Sequence, residues 1–316
     1  MKPLKKPFQA APKAFRKVSK QTWNGIADRH YHKLHWKETS ITDDIIYHLV
    51  KENVQGVQIY QAIHEEVYGH DIDLYIKSYN DKYMMLSLQA KVVYNQVNLA
   101  QYNSIEHRVY HPDDKRKPEN EKRIINQWDL LDNFQTDRIP FYLFYNGFKK
   151  EKFDTLQNIY IRGNFGVTAR IVKPKAVLGC SVMLFHDFKS RFLELNEQGF
   201  LALKGGKDKI SYFTLHQSVY KNAIPWDELF NIKKYNWIEI MEQLGGYKVK
   251  THTGEVKIDG SKYRKLKMED FGEGEDDSKL GDPNTLPESN TGARYCIVVN
   301  QSRNERMDSS PLFRFE

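Results

Sequence analysis

Asp71, Gln89 and Lys91 are the residues of this 316-residue chain whose types and spacing could do chemistry together. Asp71 opens an alternating segment in which Ile72, Leu74 and Ile76 share a face. Gln89 and Lys91 lie two apart in the next alternating run, so their side chains leave a strand on the same side. Pairing of the two segments as a hairpin would bring Asp71 to Gln89. An Asp carboxylate, a Gln amide oxygen and the main-chain carbonyl of Ala90 form a hard-oxygen set suited to Mg²⁺ or Mn²⁺. A lysine beside them can orient or deprotonate water and offset negative charge. That combination suits metal-assisted hydrolysis of a phosphodiester, where positive charge must oppose the charge that develops at phosphorus. Lys91 adds a physical argument of its own, because it interrupts the apolar run 84–93, and a charge there is costly unless partnered. Asp73 shares the face of Asp71 and is the alternative ligand; the Gly-x-Asp spacing favours Asp71.

The elements that must position these residues are legible from periodicity. Ser40-Ile41-Thr42-Asp43 reads as a capping-box-like start, followed by Ile41, Ile45, Ile46, Leu49 and Val50 on one helical face and Gly56 just beyond. Val57 to Ile63, Asp71 to Ile76 and Tyr83 to Tyr94 then read as three strands. A helix is expected from about Glu121, with Ile124, Ile125, Trp128, Leu131 and Phe134 at helical spacing, ending before Pro140. Phe141 to Tyr145 is a short apolar run, most simply a buried strand. The expected order is α-β-β-β-α-β, an α/β fold with a central mixed sheet flanked by helices. Cys180 to Leu195 reads as a further helix, and Tyr295 to Val299 as one more strand that could return to the core.

At this point the residues resemble the restriction-endonuclease-like superfamily, whose signature is written PD-(D/E)xK and whose core runs αβββαβ. More narrowly, Glu65-x-x-x-Gly69-His70-Asp71 followed by Gln89-Ala90-Lys91 is similar to an uncharacterised bacterial family marked by E-x-x-x-G-A-D and Q-A-K. The later echoes are Phe141-Tyr-Leu-Phe-Tyr-Asn146, Gly179-Cys-Ser181 and Pro225-Trp226. The resemblance implies that Asp71, Gln89 and Lys91 bind metal and activate water. Gln89 stands where an acid is commoner, and His70 where the narrower family has a small residue. The resemblance therefore directs attention to a compensating carboxylate, Glu65 first and Glu66 second, with Asp43 and Asp44 as helix-start acids.

Composition bounds the remainder. With 40% hydrophobic and 13% aromatic residues the chain can bury a large core. No apolar run is long enough for a membrane span, and no leader is read at the N-terminus, so a cytoplasmic protein without membrane contact is expected. Cys180 and Cys296 lie outside any metal-ligand spacing and suit reduced, structural thiols. The net charge of +7 is uneven: residues 1–37 hold ten Lys or Arg against one acid, Asp28. They read as a basic arm whose Lys5, Lys6, Lys13, Arg16, Lys17 and Lys20 would meet nucleic-acid phosphates. The nuclease-like domain is then 38–232, and 233–316 a C-terminal extension with an acidic disordered segment at about 268–292. His30, His32, His35 and Trp36 form a dense segment that reads as surface or nucleic-acid-facing before it reads as metal-binding. Gly205-Gly206-Lys207 lacks P-loop spacing, and Gln127 would sit on the polar side of the helix after Lys91. Together these readings give an Mg²⁺-dependent endonuclease acting on nucleic acid, DNA above all, possible as a homodimer, in bacterial defence against foreign DNA. The alternative is a catalytically weak nucleic-acid-binding or partner-binding module that keeps the fold.

Overall fold

The computed structural model describes residues 10–34, 36–63, 71–77, 82–96, 99–102, 108–110, 117–118, 121, 124–126, 129, 131, 138–149, 176–197, 219, 222–231, 252–253, 256, 258, 260, 262–271 and 293–300. The alternating runs become strands. They are β1 (Val57–Ala62), β2 (Ile72–Lys77), β3 (Lys82–Gln96), β4 (Leu99–Tyr102), β5 (Arg108–Tyr110), β6 (Ile124–Asn126) and β7 (Ile139–Tyr145). Farther along come β8 (Cys180–Leu184), β9 (Ile224–Pro225), β10 (His252–Thr253), β11 (Tyr263–Lys265) and β12 (Tyr295–Val299). The helices are α1 (Ala10–Tyr31), α2 (Glu38–Glu52) and α3 (Phe185–Glu197). The main sheet runs β11-β1-β12-β2-β3-β7-β8-β9, with β4 and β10 also on β3, and β5 pairs with β6 apart from it. It is mixed: β12 is parallel to β2 and β3 to β7, while β2 with β3 and β7 with β8 are antiparallel. The protein is thus α/β, with helices on both faces of the sheet.

One face is made by Ile72, Leu74, Ile76, Leu86, Leu88, Ala90 and Val92, all buried in the main core with Ile41, Ile45, Ile46 and Leu49 of α2. Tyr145, at the end of β7, shares a hydroxyl hydrogen bond of 2.9 Å with Thr42 of α2. The other face carries Tyr142 and Phe144, whose rings lie 4.7 and 5.4 Å from Phe188 of α3.

Several sequence expectations need correction. Of the expected arm 1–37, residues 1–9 lie outside the described residues, and from Ala10 on it is no separate arm, because α1 packs as part of the core, with Phe15, Val18 and Ile26 fully buried. Each such side chain contributes roughly 1.5–3 kcal/mol by leaving water. Trp226 donates its indole N–H to Phe15 O at 2.7 Å, and Ser19 Oγ donates to Val177 O and accepts the Cys180 N–H, both at 2.8 Å. Lys13, Arg16, Lys17 and Lys20 occupy the helix's exposed stripe, which is why the segment reads as a basic arm. The boundary at 232 also fails, since β12 lies between β1 and β2 in the middle of the sheet. Of the segment expected to be disordered from about 268, Met268–Phe271 is a 3₁₀ turn with Phe271 edge-on to Tyr47, and residues 272–292 lie outside the described residues. Ile124–Asn126 is a strand paired with β5, so the expected helix does not start at Glu121; helical backbone is described at Asp129 and Leu131. Cys180–Leu184 is strand and only then helix, a case where a short run buried on both sides has no periodicity to distinguish the two. The helix read from Ser40 begins at Glu38 without a side-chain cap at Lys37.

Gly179 lets α1 approach β8. A Cβ at this position would stand 1.9 Å from Ser19 O and 2.8 Å from Trp23 N, both main-chain atoms of α1. Gly179→Ala should therefore cost roughly 3 kcal/mol or more, measured by urea denaturation. Gly260→Ala, which would meet nothing within 4 Å, is the matched control and should be neutral.

Candidate functional site

The site arises where β2 ends and β3 does not. Asp71 N–H donates to Leu88 O at 2.8 Å, the last rung between the two strands, while β3 continues beside β7 as far as Val92. In an antiparallel ladder, alternate residues of β3 direct their main-chain groups toward β2. The Ala90 and Val92 N–H groups would therefore face a strand that has stopped, and buried N–H groups need partners. Two carboxylates supply them. Asp71 Oδ2 accepts Ala90 N–H at 2.8 Å, and the Glu38 carboxyl accepts Val92 N–H. Asp71 Oδ2 also receives Gln89 Nε2 at 2.7 Å, and the same Nε2 lies 3.2 Å from Ala90 O.

Lys91 is 2% exposed, and its Nζ stands 3.8 Å from Glu38 Oε1. Register puts Ser87, Gln89 and Lys91 opposite Pro140, Tyr142 and Phe144, on the face covered by α3, whereas α2 covers the other. Glu38 reaches Lys91 from α2 at the level where β2 has ended. Burial pushes its carboxyl up to about 8; the Lys91 ammonium opposes that rise, and the Asp71 charge adds to it.

These oxygens meet a simple test for a cation. A carboxylate oxygen and a main-chain carbonyl converge on one atom, Gln89 Nε2, as they would on a positive centre. Which end of a glutamine amide faces inward is assigned from its hydrogen bonds, and the reversed amide would present Oε1 to the same point. A carboxylate, an amide oxygen and a main-chain carbonyl are ligands that Mg²⁺ takes when water completes its shell. Among the described residues no group of three or more His, Cys, Asp or Glu is gathered to hold a metal, so the set depends on Gln89 and the main chain.

Hydrogen bonds bring Asp71, Gln89 and Ala90 together, and Lys91 of the same strand faces Glu38. Glu65 and Glu66, Lys5 and Lys6, Gln127 and Gly205-Gly206-Lys207 lie outside the described residues. Asp73 is separate, accepting Ser87 Oγ at 3.0 Å with Arg138 at 4.0 Å. Asp43 is engaged by Tyr295 Oη at 2.6 Å and Arg294 at 2.9 Å. Arg16 bonds Asp227 at 2.6 Å, and Lys17 pairs with Glu52. Cys180 is a buried thiol against Thr22, pushed up to about 12 by burial, so its structural reading fits.

Sequence reasoning missed two residues. Glu38 precedes the apparent cap at Ser40, and its signal was only that of an acid in a first helical turn. Tyr142 lies within the apolar run 141–145, directly across from Gln89. Its hydroxyl is buried without a hydrogen-bond partner among the described residues. Burial, then the Glu38 and Asp129 carboxylates, hold the phenol protonated, so it remains a donor beside the site.

A family model described as a family of unknown function, DUF6615, matches residues 11–300. No curated protein and no solved structure matches.

The raised Glu38 carboxyl has a signed consequence. A folded state that holds this proton more tightly than the unfolded chain loses stability as pH rises from about 4.5 to about 8. Glu38→Gln lacks that slope. Its advantage over wild type in urea titrations should grow from pH 5 to pH 9, reaching on the order of 2 kcal/mol; a gap independent of pH would reject the assignment.

Proposed function

Because the chain belongs to DUF6615, a family whose description assigns no activity, its function must be read from the site, and we propose a metal-dependent nuclease that hydrolyses phosphodiester bonds, DNA above all. The observation that carries this reading is Lys91, a lysine buried in the middle of an apolar strand, facing a half-buried glutamate where Asp71 and Gln89 meet. Desolvation makes a buried ion pair weak evidence of stabilisation, so a fold gains little by keeping one for stability alone. A site that must oppose phosphate charge has a use for it.

Asp71, the Gln89 amide oxygen and Ala90 O would hold Mg²⁺ or Mn²⁺. Such an ion, when bound, acidifies water and offsets phosphate charge. Lys91 would hold the attacking water and donate to a phosphate oxygen. Glu38, near 8, is matched to accept the water's proton at neutral pH as oxygen adds to phosphorus and the bond to the leaving sugar oxygen breaks. Tyr142 would donate its unpartnered hydroxyl to the same group of oxygens. The restriction-endonuclease resemblance agrees with this chemistry, and cytoplasmic defence against foreign DNA is the setting it suggests. One site cuts one strand, so symmetric double-strand cutting would call for a homodimer.

A second reading, a module that binds nucleic acid without cutting it, is favoured by Gln89, which adds no negative charge to the ligand set and donates to Asp71 as it stands. Cleavage of labelled plasmid, single-stranded DNA and RNA in Mg²⁺, Mn²⁺ or EDTA separates the two. Wild type should cut only with metal, and Asp71→Asn and Lys91→Met should lower the rate at least 100-fold, given the usual size of acid–base and electrostatic contributions. Lys91→Met combined with Glu38→Gln, which removes both partners of the pair, should keep or raise the melting temperature. Metal-independent cutting, or full activity in Lys91→Met, would exclude this site.

Tyr142→Phe gives an independent check. Removing a buried hydroxyl that has no partner should leave stability unchanged or raise it by about 1 kcal/mol, while cleavage falls. A loss of stability would instead mean that the hydroxyl serves the fold.

A further inference from the structure

We propose that the turn joining α1 to α2 grips a nucleic-acid strand at an unpaired base, with Tyr31 and Leu34 against the base and Lys33 and Lys37 on its phosphates. This rests on the phosphodiesterase reading of the neighbouring site. The first argument is conformational. Helix α1 closes with Leu34 N–H donating to Arg29 O at 2.8 Å and Lys33 N–H to His30 O at 3.1 Å, the paired bonds of a Schellman ending. Lys33 takes the left-handed position of that motif, at φ 59°, where glycine is ordinarily found because a Cβ is disfavoured. A lysine kept against that preference points to a use for its side chain.

The second argument is exposure. Leu34 occupies the position that usually packs back on the helix, yet it is 59% exposed, and Tyr31 is 69% exposed; they are the two most exposed large hydrophobic residues among those described. The turn is held in place and is not merely loose. Arg29 lies 3.5 Å over the Trp36 ring, and Tyr31 is flanked by His32, ring to ring at 5.2 Å, and by Lys149 Nζ at 5.7 Å. An exposed aromatic ring fixed between an imidazole and a lysine is what stacks on an unpaired base while lysines neutralise the backbone.

The third argument is place and charge. Lys37 immediately precedes Glu38, the first residue of α2 and a member of the site. Lys149 follows β7, which runs parallel to β3 and ends level with Val92. Turn and site therefore occupy the same end of the sheet. Arg29, Lys33 and Lys37 give the turn a positive surface, while Lys149 pairs with its acid, Asp28, and holds that carboxyl below its usual value. The basic surface predicted by composition is thus assigned to the C-terminal end of α1 in place of the stripe along it.

The test is fluorescence anisotropy in EDTA with the full chain, using a labelled single-stranded DNA oligonucleotide and its duplex. Tyr31→Ala and Lys33→Gly should each weaken single-strand binding about tenfold, and Lys33→Gly should reduce the salt dependence by about one phosphate contact. Lys33→Gly should at the same time raise the melting temperature, because glycine suits the left-handed position. Lys265→Ala, on the exposed edge strand β11, should bind as wild type does. Unchanged binding in both turn variants, with wild type still cutting, would overturn the grip and leave the nuclease reading intact. A lower melting temperature for Lys33→Gly would overturn the argument from conformation, and weaker binding to duplex alone would overturn the unpaired base. Wild type that neither binds nor cuts would remove the nuclease reading and the grip together.

Discussion

A strand that loses its neighbour halfway along must satisfy its main-chain N–H groups by other means, and in this protein that need falls on β3 beyond Leu88. With β2 ended at Asp71, the Ala90 N–H goes to the Asp71 carboxylate and the Val92 N–H to Glu38. Two acids are thereby gathered where β2 stops, for a reason that belongs to backbone hydrogen bonding. The site inherits them. Once two carboxylates converge in a desolvated place, a compensating positive charge follows, and Lys91 supplies it from the same strand. Glu38 responds in the expected direction, since its carboxyl rises despite the nearby ammonium.

Maintaining that edge requires α2 to enter at the right depth, and α1 determines where the chain turns into α2. The later motif residues serve this end. Gly179 allows the main chain of α1 to lie against β8, Trp226 bonds the carbonyl of Phe15, and Asn146 donates through Nδ2 to Leu178 O at 2.9 Å and to Ser181 Oγ at 3.1 Å. Residues that look like parts of a catalytic signature therefore act through packing. They fix α1, α1 fixes the turn at 32–37, and the turn delivers Glu38.

The strands β1, β2, β3 and β7 were legible because alternation and apolar runs report a half-buried or buried sheet directly, and Asp71, Gln89 and Lys91 came with them. What was not legible depended on contacts distant in sequence. The insertion of β12 between β1 and β2 leaves no local mark on either strand, since its partners lie more than 200 residues away. Helix α1 displays ten bases with its neighbours in sequence, and formal charge obscured the buried stripe of Phe15, Val18, Trp23 and Ile26. Glu38 was hidden by a plausible cap two residues later, for a capping motif in sequence does not decide which turn comes first. Tyr142 reads as one more aromatic residue until its hydroxyl is found without a partner.

The contrast between Asp71 and Asp73 shows how two acids on one face of one strand come to have different fates. Asp73 is flanked on both sides, by Cys296 of β12 and Ser87 of β3, and is 3% exposed. Its carboxylate is occupied by the Ser87 hydroxyl and approached by Arg138, and its charge helps keep Tyr75 and Tyr263 protonated. It lies within a closed network with strands on either side. Asp71 stands one step outside the ladder, with its main chain still bonded to Leu88 and Tyr295 but its carboxylate turned along the vacated edge. Neither residue type nor face separates the two. The end of β2 does, because an oxygen held where a strand has stopped can exchange an N–H partner for a cation, whereas an oxygen enclosed between two continuing strands has no room for the exchange.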